Sequence, residues 1–254
     1  MSRRAMDGSV RALRFARAAA LSAAAALLLV AAPKPAAADP VLVELYTSQG
    51  CYLCPEADAF LGELAERPEV IGLSLNVDYW DYIGWKDTLA LPENKERQMA
   101  YAEAHRETAV GTPHMIVHGA NAMAGGQKRA ILNSVAQAAA EPAEATVALD
   151  HAEGAVSITI TPASDAAAAG AASIIVAPYR QEVEQAIDRG ENAGKSLTYH
   201  NSVLRIERIG GYDGAATTLR AALPSDADGV AVWVQRDVEA GPVGPILAAA
   251  KAEW

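Results

Sequence analysis

Cys51-Tyr52-Leu53-Cys54 stands between an apolar, β-prone run, Val41 to Thr47, and a proline, Pro55. These are the only two cysteines in 254 residues. Val41-Leu42-Val43-Glu44-Leu45-Tyr46-Thr47 reads as a buried strand, and Ser48-Gln49-Gly50 breaks it. Pro55 suits the first turn of a helix, where its missing N–H costs nothing. Ala57, Phe60, Leu61, Leu64 and Ala65 then recur at helical spacing over residues 56–67. The cysteines therefore fall at a strand-to-helix junction. A thiolate is the nucleophile of disulfide exchange. The free N–H groups and positive dipole of a helix N-terminus stabilise one there. On this reading Cys51, at an exposed lip, attacks a substrate sulfur. Cys54, one turn in and less accessible, resolves the mixed disulfide. Three other readings compete. One is a structural disulfide, though so small a loop removes little unfolded-state entropy. Another is half a zinc site, but no second Cys pair or His-x-His supplies the remaining ligands. The third is a vestigial motif in a binding module.

The N-terminus bears on which reading holds. Arg3, Arg4, Arg11, Arg14 and Arg17 precede an Ala/Leu/Val run, Ala18 to Ala32, and then Ala36-Ala37-Ala38. This is the layout of a secretory signal peptide with cleavage after Ala38. The apolar run is about 15 residues, short of the roughly 20 that span a bilayer. Residues 1–38 carry six Lys/Arg and one Asp, a net of +5, so the remaining 216 residues carry −10 − (+5) = −15. Such acidity argues against nucleic acid or an anionic membrane surface as partner. No stable membrane insertion is expected after cleavage. A periplasmic or secreted location is expected, and there a lone Cys pair is normally oxidised.

Further along, Val70 to Val77 reads as a second strand, leading into an aromatic and acidic loop, Asp78 to Asp87. Residues 93–107 read as a helix, 114–118 as a third strand, 123–126 as a short fourth strand or loop, and 127–139 as an alanine-rich helix. Glu141-Pro142-Ala143-Glu144 marks a boundary. Beyond it, segments 146–149, 156–161, 173–177, 197–209, 217–223 and 230–235 suggest an antiparallel sheet or small sandwich. The predicted organisation is a signal peptide at 1–38, an α/β unit at 39–140 and a β-rich domain or extension at 141–254. Within 39–140 the order β-α-β-(insert, α)-β-β-α is that of the thioredoxin fold, with an insert after the second strand.

Two further residue sets bear on the chemistry. Gly111-Thr112-Pro113 precedes the third strand. Thioredoxin folds place a cis-proline there, facing the Cys-x-x-Cys, and the residue before it pairs with the substrate backbone. Thr112 and Pro113 are therefore candidate site residues, against the alternative of an ordinary trans turn proline. Glu44 is a carboxylate in an otherwise apolar strand. It is either a buried acid that moves the proton of the second cysteine, as thioredoxins have in this strand, or a side chain turned to solvent.

Segments 43–55, 76–87 and 190–201, together with Thr112-Pro113, resemble the bacterial secreted thioredoxin-like family catalogued as domain of unknown function 1223. The resemblance spans nearly the whole exported chain. It implies a thioredoxin-like fold and export, and it names no substrate. Bulky Tyr52-Leu53 stands where small polar residues are common in relatives. Tyr79, Trp80, Tyr82 and Trp85 either rim the cleft to grip a peptide or pack within the insert. The 190–201 stretch either returns to the same cleft or is a plain connector. The leading function is protein thiol–disulfide exchange with Cys51, Cys54, Thr112, Pro113 and Glu44 as its residues, protein or peptide thiols and disulfides as partners, and no cofactor or metal. The alternatives are a metallochaperone holding a soft metal on the Cys pair, or a non-catalytic binding module.

Overall fold

A computed structural model describes residues 39–164 and 170–254. The leader and its cleavage site lie outside the described residues. The described residues form one compact unit. Its first half is β1 (Val41–Thr47), α1 (Cys54–Ala65), β2 (Val70–Asn76), α2 (Pro92–Ala104), β3 (His114–Val117), β4 (Asn121–Ala124) and α3 (Lys128–Ala140). A 3-10 turn, Asp81–Ile83, lies between β2 and α2. The second half is all strand: β5 (Ala145–Ala152), β6 (Ala155–Pro162), β7 (Ala172–Ala186), β8 (Ser196–Val203), β9 (Glu207–Tyr212), β10 (Thr217–Ala222), β11 (Gly229–Arg236) and β12 (Ile246–Glu253). The α/β class expected from the sequence holds, with a large sheet and few helices.

Eight strands run in the order β12-β11-β7-β8-β2-β1-β3-β4, and β9 adds to β7. β1 and β2 are parallel, as their connection through α1 requires. β8 of the second half joins β2 of the first at Ser74 and Ser202. The sheet thus continues across residue 141, and what changes there is the layer covering it. On one face of β1, Val41, Val43 and Leu45 pack with Phe60, Leu61 and Leu64 of α1 and with Ile131 and Val135 of α3. On the other, Leu42 and Tyr46 join a core with Tyr101 of α2, Tyr179 of β7 and Trp233 of β11. A second sheet, β10-β6-β5, packs Val156, Ile158 and Ile160 against the alternate residues of β7 and β11.

Two strands depart from expectation. β7 runs for 15 residues, where only 173–177 looked apolar enough. Its charged half, Arg180 to Gln185, is held by pairing with β8 rather than by burial. β12, with its alanine-rich Ile-Leu-Ala-Ala-Ala-Lys run, had no strand signal. It pairs antiparallel with β11 and buries Ala248 and Ala249, a case of tertiary pairing overriding weak β-propensity. Among the described residues no helix is long and apolar enough to cross a membrane.

Candidate functional site

Cys51 and Cys54 form a disulfide, with Cα atoms 5.4 Å apart, at the N-terminus of α1. Cys51 does not form an exposed lip: it is 2% exposed and Cys54 is 0% exposed. The residues between them are the exposed ones, Tyr52 at 61% and Leu53 at 56%. Cys51 is covered because three separate segments converge on its loop.

The first segment is the turn before β3. The Thr112–Pro113 bond is cis, and the Thr112 carbonyl oxygen lies 3.6 Å from Cys51 Sγ. The second is the aromatic insert. Trp80 Nε1 donates to Thr112 Oγ1 at 2.7 Å, and Trp85 Nε1 donates to Gln49 Oε1 at 2.8 Å. Asp87, buried, accepts from the Gln49 N–H at 2.7 Å and from Asn76 Nδ2 and the Leu89 N–H. The insert packs closely on Gly50: a Cβ there would lie 3.1 Å from Trp80 Cβ and 3.2 Å from Ile83 Cδ1. Tyr82 stacks on Trp80 and is 81% exposed. The insert therefore divides the two sequence readings, with Trp80 and Trp85 packed onto the Cys loop and Tyr82 on its rim. The third segment is the 190–201 stretch, which returns to the site. Asn192, fully buried, donates Nδ2 to the carbonyls of both Gln49 and Cys51 at 2.9 Å. Lys195 Nζ donates to Asn192 Oδ1 at 2.8 Å.

Beside Pro113 an open cleft of about 680 Å³ is lined by Arg106, Glu107, Thr112, His114, Met123 and Gln127, among others. Burial lowers the pKa of His114, and Glu107, 3.5 Å away, works against that shift.

Glu44 is not part of this group. Strand alternation places it with Leu42 and Tyr46, on the face away from α1. It is 1% exposed, so it does not face solvent either. Arg97 Nε and Nη2 donate to its two oxygens at 2.6 and 3.1 Å, and Tyr101 OH donates at 2.6 Å. Arg97 also donates to Gln235 Oε1 of β11, and Gln235 Nε2 donates to Tyr101 OH. Burial opposes the Arg97 charge, but the Glu44 carboxylate more than offsets it and raises the guanidinium pKa. Burial, reinforced by Glu44, also raises Tyr46 and Tyr101 well above the ordinary phenol range. The expected role for Glu44 beneath Cys54 is thus corrected: it ties α2 to both halves of the sheet.

A different acid lies under the cysteines. Asp58, 3% exposed, is one helical turn after Cys54 on the buried side of α1. Burial, reinforced by the like charge of Asp87, pushes its pKa up to about 8, and the Thr47 hydroxyl pulls the other way. Neither Asp58 oxygen has a hydrogen-bond partner, and neither do the hydroxyls of Thr47, Ser74 and Tyr199 nearby in the fold. Positions 54, 57, 58 and 61 form an i, i+3, i+4, i+7 series, which is a legible sign that Asp58 shares the apolar stripe. Asn192 carried no such sign. Among the described residues no group of three or more His, Cys, Asp or Glu side chains is gathered for a metal ion.

A family model described as "Protein of unknown function (DUF1223)" matches residues 42–235. The chain belongs to the DUF1223 family. This DUF1223 protein is similar to the crystal structure of protein AGR_C_4864 from Agrobacterium tumefaciens, at 32% identity and a TM-score of 0.73. That match covers 85% of this chain and 95% of the other. It is also similar in fold to HBP35 of Porphyromonas gingivalis, at 15% identity and a TM-score of 0.64, covering 87% of this chain and 76% of that one. No curated protein matches it.

Proposed function

We propose that this DUF1223 protein is an exported, thioredoxin-like thiol–disulfide oxidoreductase acting on protein or peptide thiols in the periplasm or outside the cell. The observation that carries the reading is the disulfide at a helix N-terminus with the Thr112 carbonyl 3.6 Å from Cys51 Sγ. A substrate thiolate attacks Cys51 Sγ, and the sulfur of Cys54 leaves with the electron pair. The N–H groups of the first turn of α1 stabilise that leaving thiolate. A second substrate thiol then attacks the substrate's own sulfur in the mixed disulfide and releases Cys51. Thr112 and Pro113 form the wall against which the substrate backbone aligns. The signal peptide pattern of residues 1–38 supports export.

The 2% exposure of Cys51 favours one second reading, a binding module stapled by a structural disulfide. The reduction potential separates the two. Purified protein is equilibrated in graded glutathione buffers and its free thiols are counted by alkylation and mass. A potential between about −120 and −270 mV supports exchange. A potential below about −300 mV marks a disulfide that thiol partners do not open, and the binding module then stands.

A further inference from the structure

Helix α2 has one face in the core and one outside. Asn94, Arg97, Gln98 and Tyr101 are buried. Glu96, Met99, Ala100 and Glu103 follow one another at i, i+3, i+4 and i+7 on the other side, a stripe about 10 Å long at the helical rise. Met99 is 55% exposed, a large apolar side chain with little to cover it. An open cleft of about 720 Å³ runs along this stripe and on to Glu107, Thr108 and Val110. It shares Glu107 and Thr108 with the cleft beside Pro113. At its other end it shares Glu96 and Ala100 with a recess of about 360 Å³, lined by Ile175, Ile206 and Val243 of the second half. The three make one trough. It starts at Thr112, whose carbonyl is 3.6 Å from Cys51 Sγ, follows α2, and ends on β7.

The charge of the trough is one-sided. Glu93, Glu96, Glu103 and Glu107 line it. The two cations of α2 are committed elsewhere, Arg97 to Glu44 and Lys95 to Asp78 at 3.4 Å. Arg106 stands at the end near Pro113 and Arg208 at the far recess, where its Nε donates to Ser173 Oγ at 2.6 Å. Between them, among the described residues, no Lys or Arg lines the middle section. An apolar floor of Met99, Ala100 and Ala102 is thus rimmed by carboxylates. Lys and Arg lay their stems on such a floor and set their charged heads against such a rim. A second copy of the chain fits poorly, since residues 39–254 carry −10 − (+5) = −15. We propose that the α2 trough seats the polypeptide flanking the substrate cysteine and selects segments that carry Lys or Arg among apolar residues. The inference rests on the exchange reading above and names its substrate class. The second half of the chain then takes part in recognition, because Ile175 and Ile206 form the recess that receives an apolar side chain. Met99, unbranched and polarisable, adapts to different apolar side chains in between.

The test uses two peptides, each with a single cysteine flanked on both sides by Ala-Leu-Lys repeats or, in the matched peptide, by Ala-Leu-Glu repeats. Flanks on both sides make the direction of binding immaterial. Opening of the Cys51–Cys54 disulfide is followed by mass, with rates expressed per peptide thiolate and divided by the same protein's rate with dithiothreitol. The lysine peptide should react at least about 10-fold faster than the glutamate peptide. Glu96→Gln combined with Glu103→Gln should slow the lysine peptide about 3- to 10-fold, the range of two exposed ion pairs. Asp150→Asn combined with Glu153→Gln removes the same charge from the small sheet and measures general attraction to an acidic protein. It should change the lysine-peptide rate by less than about 2-fold, since salt screens charges beyond a Debye length. Equal rates for the two peptides, or a loss in the α2 variant no larger than in this control, overturns the trough as a recognition site and leaves exchange standing. A dimer in light scattering that Met99→Glu splits assigns the trough to a second copy and overturns the proposal likewise. A disulfide that neither the peptides nor dithiothreitol open overturns the exchange reading itself and the recognition that rests on it.

Discussion

Glu44 and Asp58 are both carboxylates sealed inside the protein, on opposite faces of the same sheet. Glu44 meets a two-pronged guanidinium and a phenol, and that network reaches α2, β11 and the loop at Gly244. Asp58 meets a hydroxyl out of hydrogen-bonding geometry and a second carboxylate at a distance. A buried acid closed on a cation is held in one state and works as a strut. A buried acid without one is pushed towards its neutral form, and burial holds the Asp58 proton up to about pH 8. Burial alone does not distinguish the two.

The most forceful way to break the contrast is to open the strut. Glu44→Gln leaves Arg97 buried without its counter-charge, and should destabilise the fold by about 3–5 kcal/mol in urea unfolding. A loss under about 1 kcal/mol would mean that the Glu44 network is not what ties α2 to the sheet. The next effect has the opposite sign. Asp58 keeps its proton to about pH 8 in the folded protein, against an ordinary 3.8. Between those values the folded state binds the extra proton, so the stability this group contributes falls as pH rises from about 4 and levels off above about 8. Asp58→Asn should therefore be more stable than wild type at pH 7, by on the order of 2–4 kcal/mol. The gap should shrink towards pH 4. A gap that does not change with pH would remove the poised acid.

How much of this was legible in the sequence differs between the two acids. β1 is buried on both faces, so its near-continuous apolar run gives no in-and-out alternation from which to orient Glu44. Parity against Cys54 needed the sheet. Asp58, in contrast, sits on a helix with a readable stripe, and its position beside Cys54, Ala57 and Leu61 follows from spacing alone. The strand, Cys-x-x-Cys and helix unit and the segment before β3 were readable for the same reason: local pattern and local turn chemistry decide them. β12 and the outer half of β7 were not, because their strand character comes from partners far along the chain. The burial of Cys51 was also unreadable, since its cover is assembled from Thr112, Trp80 and Asn192, the last 141 residues away.

Asn192 sharpens the contrast from the neutral side. Like Glu44 it is fully paired, holding two carbonyls of the Cys loop with one amide. Asn192→Ala leaves those acceptors unmet and should cost about 1–3 kcal/mol in unfolding. The loosened loop should open to dithiothreitol faster. An unchanged rate would mean that Asn192 does not hold the Cys loop closed.

Tyr82 sets the lower end of the scale. It is 81% exposed and touches the site only by stacking on Trp80, which in turn bonds Thr112. Truncating an exposed side chain of this kind changes stability by no more than about 0.5 kcal/mol. Tyr82→Ala should therefore leave unfolding and the dithiothreitol rate unchanged, since a small dithiol reaches Cys51 without a surface to lie on. A peptide dithiol with an aromatic residue beside its cysteine does need a surface, and the loss of one aromatic contact should slow it roughly 3- to 10-fold. Equal rates for the peptide in both proteins would leave Trp80 and Tyr82 as packing for the Cys loop. A selective loss would mark the rim of the insert as the part that reads the substrate.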